Sequence, residues 1–134
     1  MAPPRPHTRE RSQDRGSITL EMAILFPAVL LLVMVAIQTG LWYYGRSVAL
    51  AAAQEGVAAG RVEGATVFQA ADAAQAFAAT QGRGMLGQPT VSTTGSSATR
   101  IQVSVSGQIV SLIPGVPIQV SQEASGPVER WTRP

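Results

Sequence analysis

The amino-acid sequence predicts a membrane-anchored α+β protein. Its N-terminal transmembrane helix extends as a stalk, a second helix follows, and a small C-terminal antiparallel sheet closes the chain. Three observations carry this reading. Met22 to Tyr44 is a run of 23 mostly apolar residues without a charge. The stretch from Arg46 to about Gln81 is rich in Ala, a strong helix former. Beyond Pro89 the apolar spacing changes from helical to alternating, the period of a half-buried strand. The expected organisation is a basic leader over 1–16, a transmembrane helix over 17–45, an Ala-rich stalk and second helix over 46–88, and a small β-rich region over 89–134.

The apolar run fits a bilayer. As helix it reaches about 34 Å at ~1.5 Å per residue, and a hydrocarbon core of about 30 Å needs roughly 20 residues. Trp42, Tyr43 and Tyr44 cluster at one end, where amphipathic rings sit well among headgroups. A buried helix in a soluble domain fits poorly, because apolar residues cover every face and the chain is too short to wrap them. Pro27 falls within the run, where it removes one helical hydrogen bond and kinks or loosens the span.

The flanks set an orientation. The leader holds Arg5, Arg9, Arg11 and Arg15 against Glu10 and Asp14. With Pro3, Pro4 and Pro6 and almost nothing apolar, it reads as disordered. Basic residues close to a span stay in the cytoplasm, and Arg46 alone on the far side is outvoted, so everything after it is expected outside. An ordinary signal peptide has a shorter apolar core followed by a small-residue cleavage site. Here the small residues precede the apolar run.

That junction, Gly16-Ser17-Ile18-Thr19-Leu20-Glu21, is the most informative stretch. Glu21 lies at the edge of the apolar run. A carboxylate at the centre of a membrane helix costs about 2.5–3.5 kcal/mol, and less near the interface, so its presence calls for a partner. Cutting between Gly16 and Ser17 would supply one, the new amino terminus.

Composition excludes other classes. The chain has 134 residues, 46% hydrophobic and 13% charged. With leader and span set aside about ninety remain, enough for one small domain. All ten basic residues are Arg, yet the net charge is only +2 and no basic stripe with interleaved aromatics appears, so no nucleic-acid partner is expected. The absence of Cys removes disulfides and thiolate metal sites. The single histidine, His7, sits in the leader, so no serine in the outer region has a histidine to activate it. Glu55, Glu63, Asp72, Glu123 and Glu129 are scattered as on a solvated surface. We therefore expect no enzyme, no cofactor, no metal and no small-molecule substrate.

Val48 to Ala59 reads as a helical continuation of the span. Gly56, Gly60 and Gly64 recur every four residues. On a helix they would line one face and permit close approach. Outside a membrane each mainly weakens the helix, which favours a break near Arg61–Gly64. A second helix is predicted from about Ala65 to Gln81, with Val67, Ala70, Ala71, Ala74, Phe77 and Ala78 as its core stripe. Gln81 to Pro89 is turn-rich. Ile101, Val103 and Val105 alternate with polar residues as a strand, and so do Val116, Ile118 and Val120. Ile109 to Ile113 is a third short run before the Pro114-Gly115 turn, and a weaker strand is expected over Thr90–Thr94. Pro117 argues for an edge position, and the tail from Ser125 is expected to fray.

Arg15 to Glu21 followed by an apolar helix resembles the prepilin motif of type IV pilins and pseudopilins. More narrowly, Gly16-Ser-Ile-Thr-Leu-Glu-Met-Ala-Ile-Leu-Phe-Pro, then Gly40-Leu-Trp-Tyr-Tyr and Ala51-Ala-Ala-Gln-Glu-Gly-Val-Ala-Ala-Gly, resembles the TadE-like family. Those are minor pilin-like proteins of the tight-adherence (Flp) pilus system. The resemblance covers roughly Arg15–Gly60. It implies that a membrane prepilin peptidase cuts after Gly16 on the cytoplasmic side, and that Ser17 becomes the amino terminus. It also implies that Glu21 pairs with that terminus in a neighbouring subunit. Further implied partners are other pilin-like subunits, a membrane assembly platform and the lipid bilayer. Because Ser17 is polar, the N-methylation common in pilins is not carried over. The alternative is an uncleaved signal-anchored envelope protein with a small ligand- or partner-binding outer domain.

Overall fold

The computed structural model describes residues 1–3 and 11–132, with side chains described from residue 16 onward after the leader. Two helices precede three strands: α1 (Arg11–Gly60), α2 (Val67–Gln81), β1 (Leu86–Ser92), β2 (Arg100–Ile109) and β3 (Ile118–Pro127). The chain divides into two units, residues 1–37 and 38–134.

In the first unit α1 already begins at Arg11, so residues 11–16 are helical rather than disordered as expected for the leader. Arg5, His7, Arg9 and Glu10 lie outside the described residues. Pro27 is accommodated inside the helix. Large side chains such as Ile24, Phe26, Leu30, Leu31, Leu32 and Val35 are exposed. By length and composition α1 could cross a membrane over Gly16–Gly60, with the most apolar window wholly unburied.

The second unit contains the rest of α1, α2 and the sheet. Its core is built from small residues. Ala49, Ala52 and Ala53 of α1 and Ala70, Ala74 and Ala78 of α2 are fully buried, joined by Val48, Val57, Leu86, Ile101, Val103, Val105, Ile109 and Val120. Gly56 and Gly60 let the elements approach. A methyl group added at Gly56 would lie 2.8 Å from the Ala70 carbonyl oxygen and 2.9 Å from the Ala74 Cβ. One added at Gly60 would lie 2.7 Å from the Ala70 Cβ and 2.9 Å from Ile101. These two glycines thus form a packing face within the chain, a role their cost to helix propensity alone would not reveal. Gly64 does not share it. The helix ends at Gly60, as the break reading requires, and Gly64 occupies the following turn at φ +80°.

The α2 start is explained by Thr66, which caps the helix. Its hydroxyl accepts from the Gln69 amide at 3.3 Å, and the Gln69 side chain accepts from the Thr66 amide at 2.9 Å, a reciprocal box that satisfies two otherwise orphaned donors. Ala70, Ala74 and Ala78 face the core with Phe77 packed beside them. Val67, expected in the stripe, is exposed because it stands at the first helical position, before the stripe meets the core.

The sheet is antiparallel with order β1-β2-β3. Ile101, Val103 and Val105 alternate inward as the spacing indicated. Four sequence expectations are corrected. The strand expected at Thr90–Thr94 runs instead from Leu86 to Ser92, with a register shift between Gly87 and Thr90 that leaves Pro89 out of the ladder on this edge strand. Ile109 to Ile113 is not a separate strand: Ile109 ends β2 and residues 110–117 form a loop. Val116 and Pro117 precede β3, which is nevertheless an edge strand. The tail does not fray at Ser125. β3 continues to Pro127 because β2 pairs with it residue by residue back to Arg100. Beyond it the Val128 and Glu129 amides donate to Thr99 and Arg61 carbonyls at 3.0 and 2.8 Å.

Candidate functional site

Gly16, Ser17 and Glu21 all lie on α1 with their side chains exposed. Ser17 and Glu21 are four residues apart, so they share one helix face a turn apart. No atom outside the local helix lies within 4 Å of where a Cβ at Gly16 would stand. Glu21 is surrounded along the helix by exposed Ile18, Leu20, Met22 and Leu25. Among the described residues it has no ion-pair partner. The Gly16–Ser17 bond therefore sits inside a helix, in the open, one turn from a carboxylate amid apolar side chains.

The aromatic group lies in the second unit. Tyr43 is the most exposed of the three. Trp42 carries the Arg46 guanidinium over its ring, 5.5 Å from the centroid, a cation–π arrangement. The Tyr44 hydroxyl donates to the Gln81 carbonyl at 3.2 Å, tying the end of α2 to α1. All three keep exposed surface while two of them are oriented by polar contacts.

One residue escaped the sequence reading. Gln38 donates through Nε2 to the Val110 carbonyl at 3.2 Å and accepts at Oε1 from the Leu112 amide at 2.8 Å. The signal was a lone side-chain amide within an otherwise apolar run. Elsewhere in the second unit, Arg61 and Glu129 form an exposed ion pair at 3.0 Å. Among the described residues no cluster of three or more His, Asp or Glu side chains could hold a metal ion.

A helix long and apolar enough to span a bilayer, together with a second helix and a three-stranded antiparallel sheet, is the make-up of a membrane-anchored α+β protein. Residues 16–58 are similar to the TadE family, described as TadE-like protein. The match opens on Gly16 and supports a protein associated with the tight-adherence pilus. No curated protein and no solved structure matches the chain.

Proposed function

We propose that this chain is a TadE-like minor pilin or pseudopilin, cut by a prepilin peptidase between Gly16 and Ser17, that acts in assembling a Flp-type pilus or related secretion filament. The observation that carries the reading is the Gly16–Glu21 junction at the head of the exposed apolar helix, where the family match begins. In this reading the protein is a single-pass component of the cytoplasmic membrane, with its amino terminus in the cytoplasm and the unit after Arg46 outside. Its partners are the peptidase, other pilin-like subunits and the assembly platform, and it has no enzymatic activity of its own.

The mechanism follows from the helix. Peptide bonds are cut in an extended conformation, so Gly16, the residue of lowest helix propensity here apart from proline, eases unwinding at the junction. Cutting leaves an ammonium at Ser17 and a carboxylate at Glu21 near the bilayer edge. Either one alone in a poorly hydrated environment is costly, and pairing the two between neighbouring helices offsets that cost. Exposed aliphatic side chains along α1 supply the packing surface once subunits gather.

Gly16→Leu tests processing: the variant should run larger on a gel than the processed chain and no longer support piliation. Unchanged mobility in a strain with a working peptidase would favour the uncleaved signal anchor. Glu21→Ala should leave processing intact while assembly fails. Normal piliation in that variant would remove the pairing role.

A further inference from the structure

We infer that the 110–116 loop is a second membrane contact, seated in the interface of the outer leaflet beside α1. The inference rests on the reading of α1 as a membrane span. Four side chains of this loop, Val110, Leu112, Ile113 and Val116, are 46, 38, 46 and 47% exposed, although each is apolar. No charged residue occurs from Ile101 to Gln122, so entering the interface desolvates no ion. A loop turned to water would have no reason for that composition.

Gln38 fixes the depth. It holds the loop backbone at both Val110 and Leu112, and it precedes Trp42 by four residues, about 6 Å along the helix toward the apolar run. If the aromatic residues lie among headgroups, the loop lies about one turn deeper.

Backbone groups entering such a region must be satisfied within the protein. Here the Val110 amide donates to the Met85 carbonyl and the Leu112 amide to Gln38. The Ile113 amide donates to the Ser111 hydroxyl, which in turn donates to the Ile113 carbonyl, and the Val116 amide closes the Pro114-Gly115 turn onto that same carbonyl. Gly115 at φ +79° is what allows this turn. Four of the loop's amides are thus bonded within the protein while its apolar side chains stay exposed. Arg46 stacks on Trp42, and Arg83 is exposed in the turn before Met85.

The chain has no cysteine, so single cysteines can carry an environment-sensitive fluorophore at chosen sites. Full-length Leu112→Cys, Ile113→Cys, Leu31→Cys and Thr94→Cys would be reconstituted separately in phosphatidylcholine–phosphatidylglycerol vesicles containing lipids with a quencher at shallow or deep chain positions. Thr94 lies in the loop between β1 and β2, at the other end of a strand of ten residues, roughly 30 Å away. The expected result is several-fold stronger shallow quenching at 112 and 113 than at 94, with deep quenching at 31. Quenching at 31 but none at 112 and 113 overturns the loop contact and leaves the span intact. Labels at 112 and 113 shielded from both lipid and aqueous quenchers overturn it in favour of a protein neighbour. No quenching at 31 overturns the span and the loop contact together.

Discussion

Residues 17–37 and 38–60 belong to one uninterrupted helix but solve different problems. The first stretch carries Leu, Ile, Val, Phe and Met, and its large side chains stand exposed. The second carries Ala and Gly at the positions that turn inward, and these are fully or nearly buried against α2 and the sheet. Large aliphatic surface left uncovered within a chain marks a contact still to be made, with lipid or with another helix. Small buried residues mark a contact already made, in which backbones approach closely. What separates the two stretches is side-chain volume.

Changes that cross this divide should have the largest effects. Leu31→Arg places a charge in the exposed apolar half. It should cost about 2.5–3.5 kcal/mol of membrane insertion, read as a shift from the membrane to the extractable fraction after alkaline washing. The thermal midpoint of the second unit should hold for Leu31→Ala, since Leu31 is exposed. Gly56→Leu makes the opposite intrusion, driving volume into the small-residue half. With the Ala70 carbonyl oxygen and Ala74 Cβ already within 3 Å of a methyl group at that position, overpacking should cost about 1–3 kcal/mol. In thermal unfolding of the detergent-solubilised chain that is a fall of roughly 4–8 °C per kcal/mol.

Smaller effects sharpen how the second half is held. Thr66→Ala removes the cap that starts α2 against α1 and should cost about 1 kcal/mol in the same assay. Arg61→Ala breaks the exposed ion pair with Glu129 and should cost less, about 0.2–1 kcal/mol, with the difference shrinking in high salt. A larger loss there would mean that the strand end and the end of α1 are coupled more tightly than a solvated pair allows.

Much of this fold was legible because local preference and burial agree. Uniform apolarity marks the first half of α1, Ala spacing marks α2, and the alternation of Ile101, Val103 and Val105 marks β2. Legibility failed where a partner, rather than the residue itself, decides the outcome. Ser121 to Pro127 has little strand propensity, yet it is strand because β2 offers it a complete ladder. Gly56 and Gly60 look like helix weaknesses until α2 and Ile101 lie against them. Ile109 to Ile113 looks like a strand because it is apolar, but it splits at the end of β2 and its remainder forms the exposed loop. At the junction the order of basic leader, small residues, carboxylate and apolar run led to Gly16, where the family match opens. Gln38 went unnoticed in the sequence, because the partners that give it a role lie 72 and 74 residues away.

The claim that binds these regions is that the chain is cut before its apolar helix, leaving the exposed half attached and freeing an amine beside Glu21. Intact-mass measurement of the protein extracted from membranes of a strain with a working prepilin peptidase tests it most directly. The expected result is a chain that begins at Ser17. A chain that still carries the leader through Gly16 would contradict it.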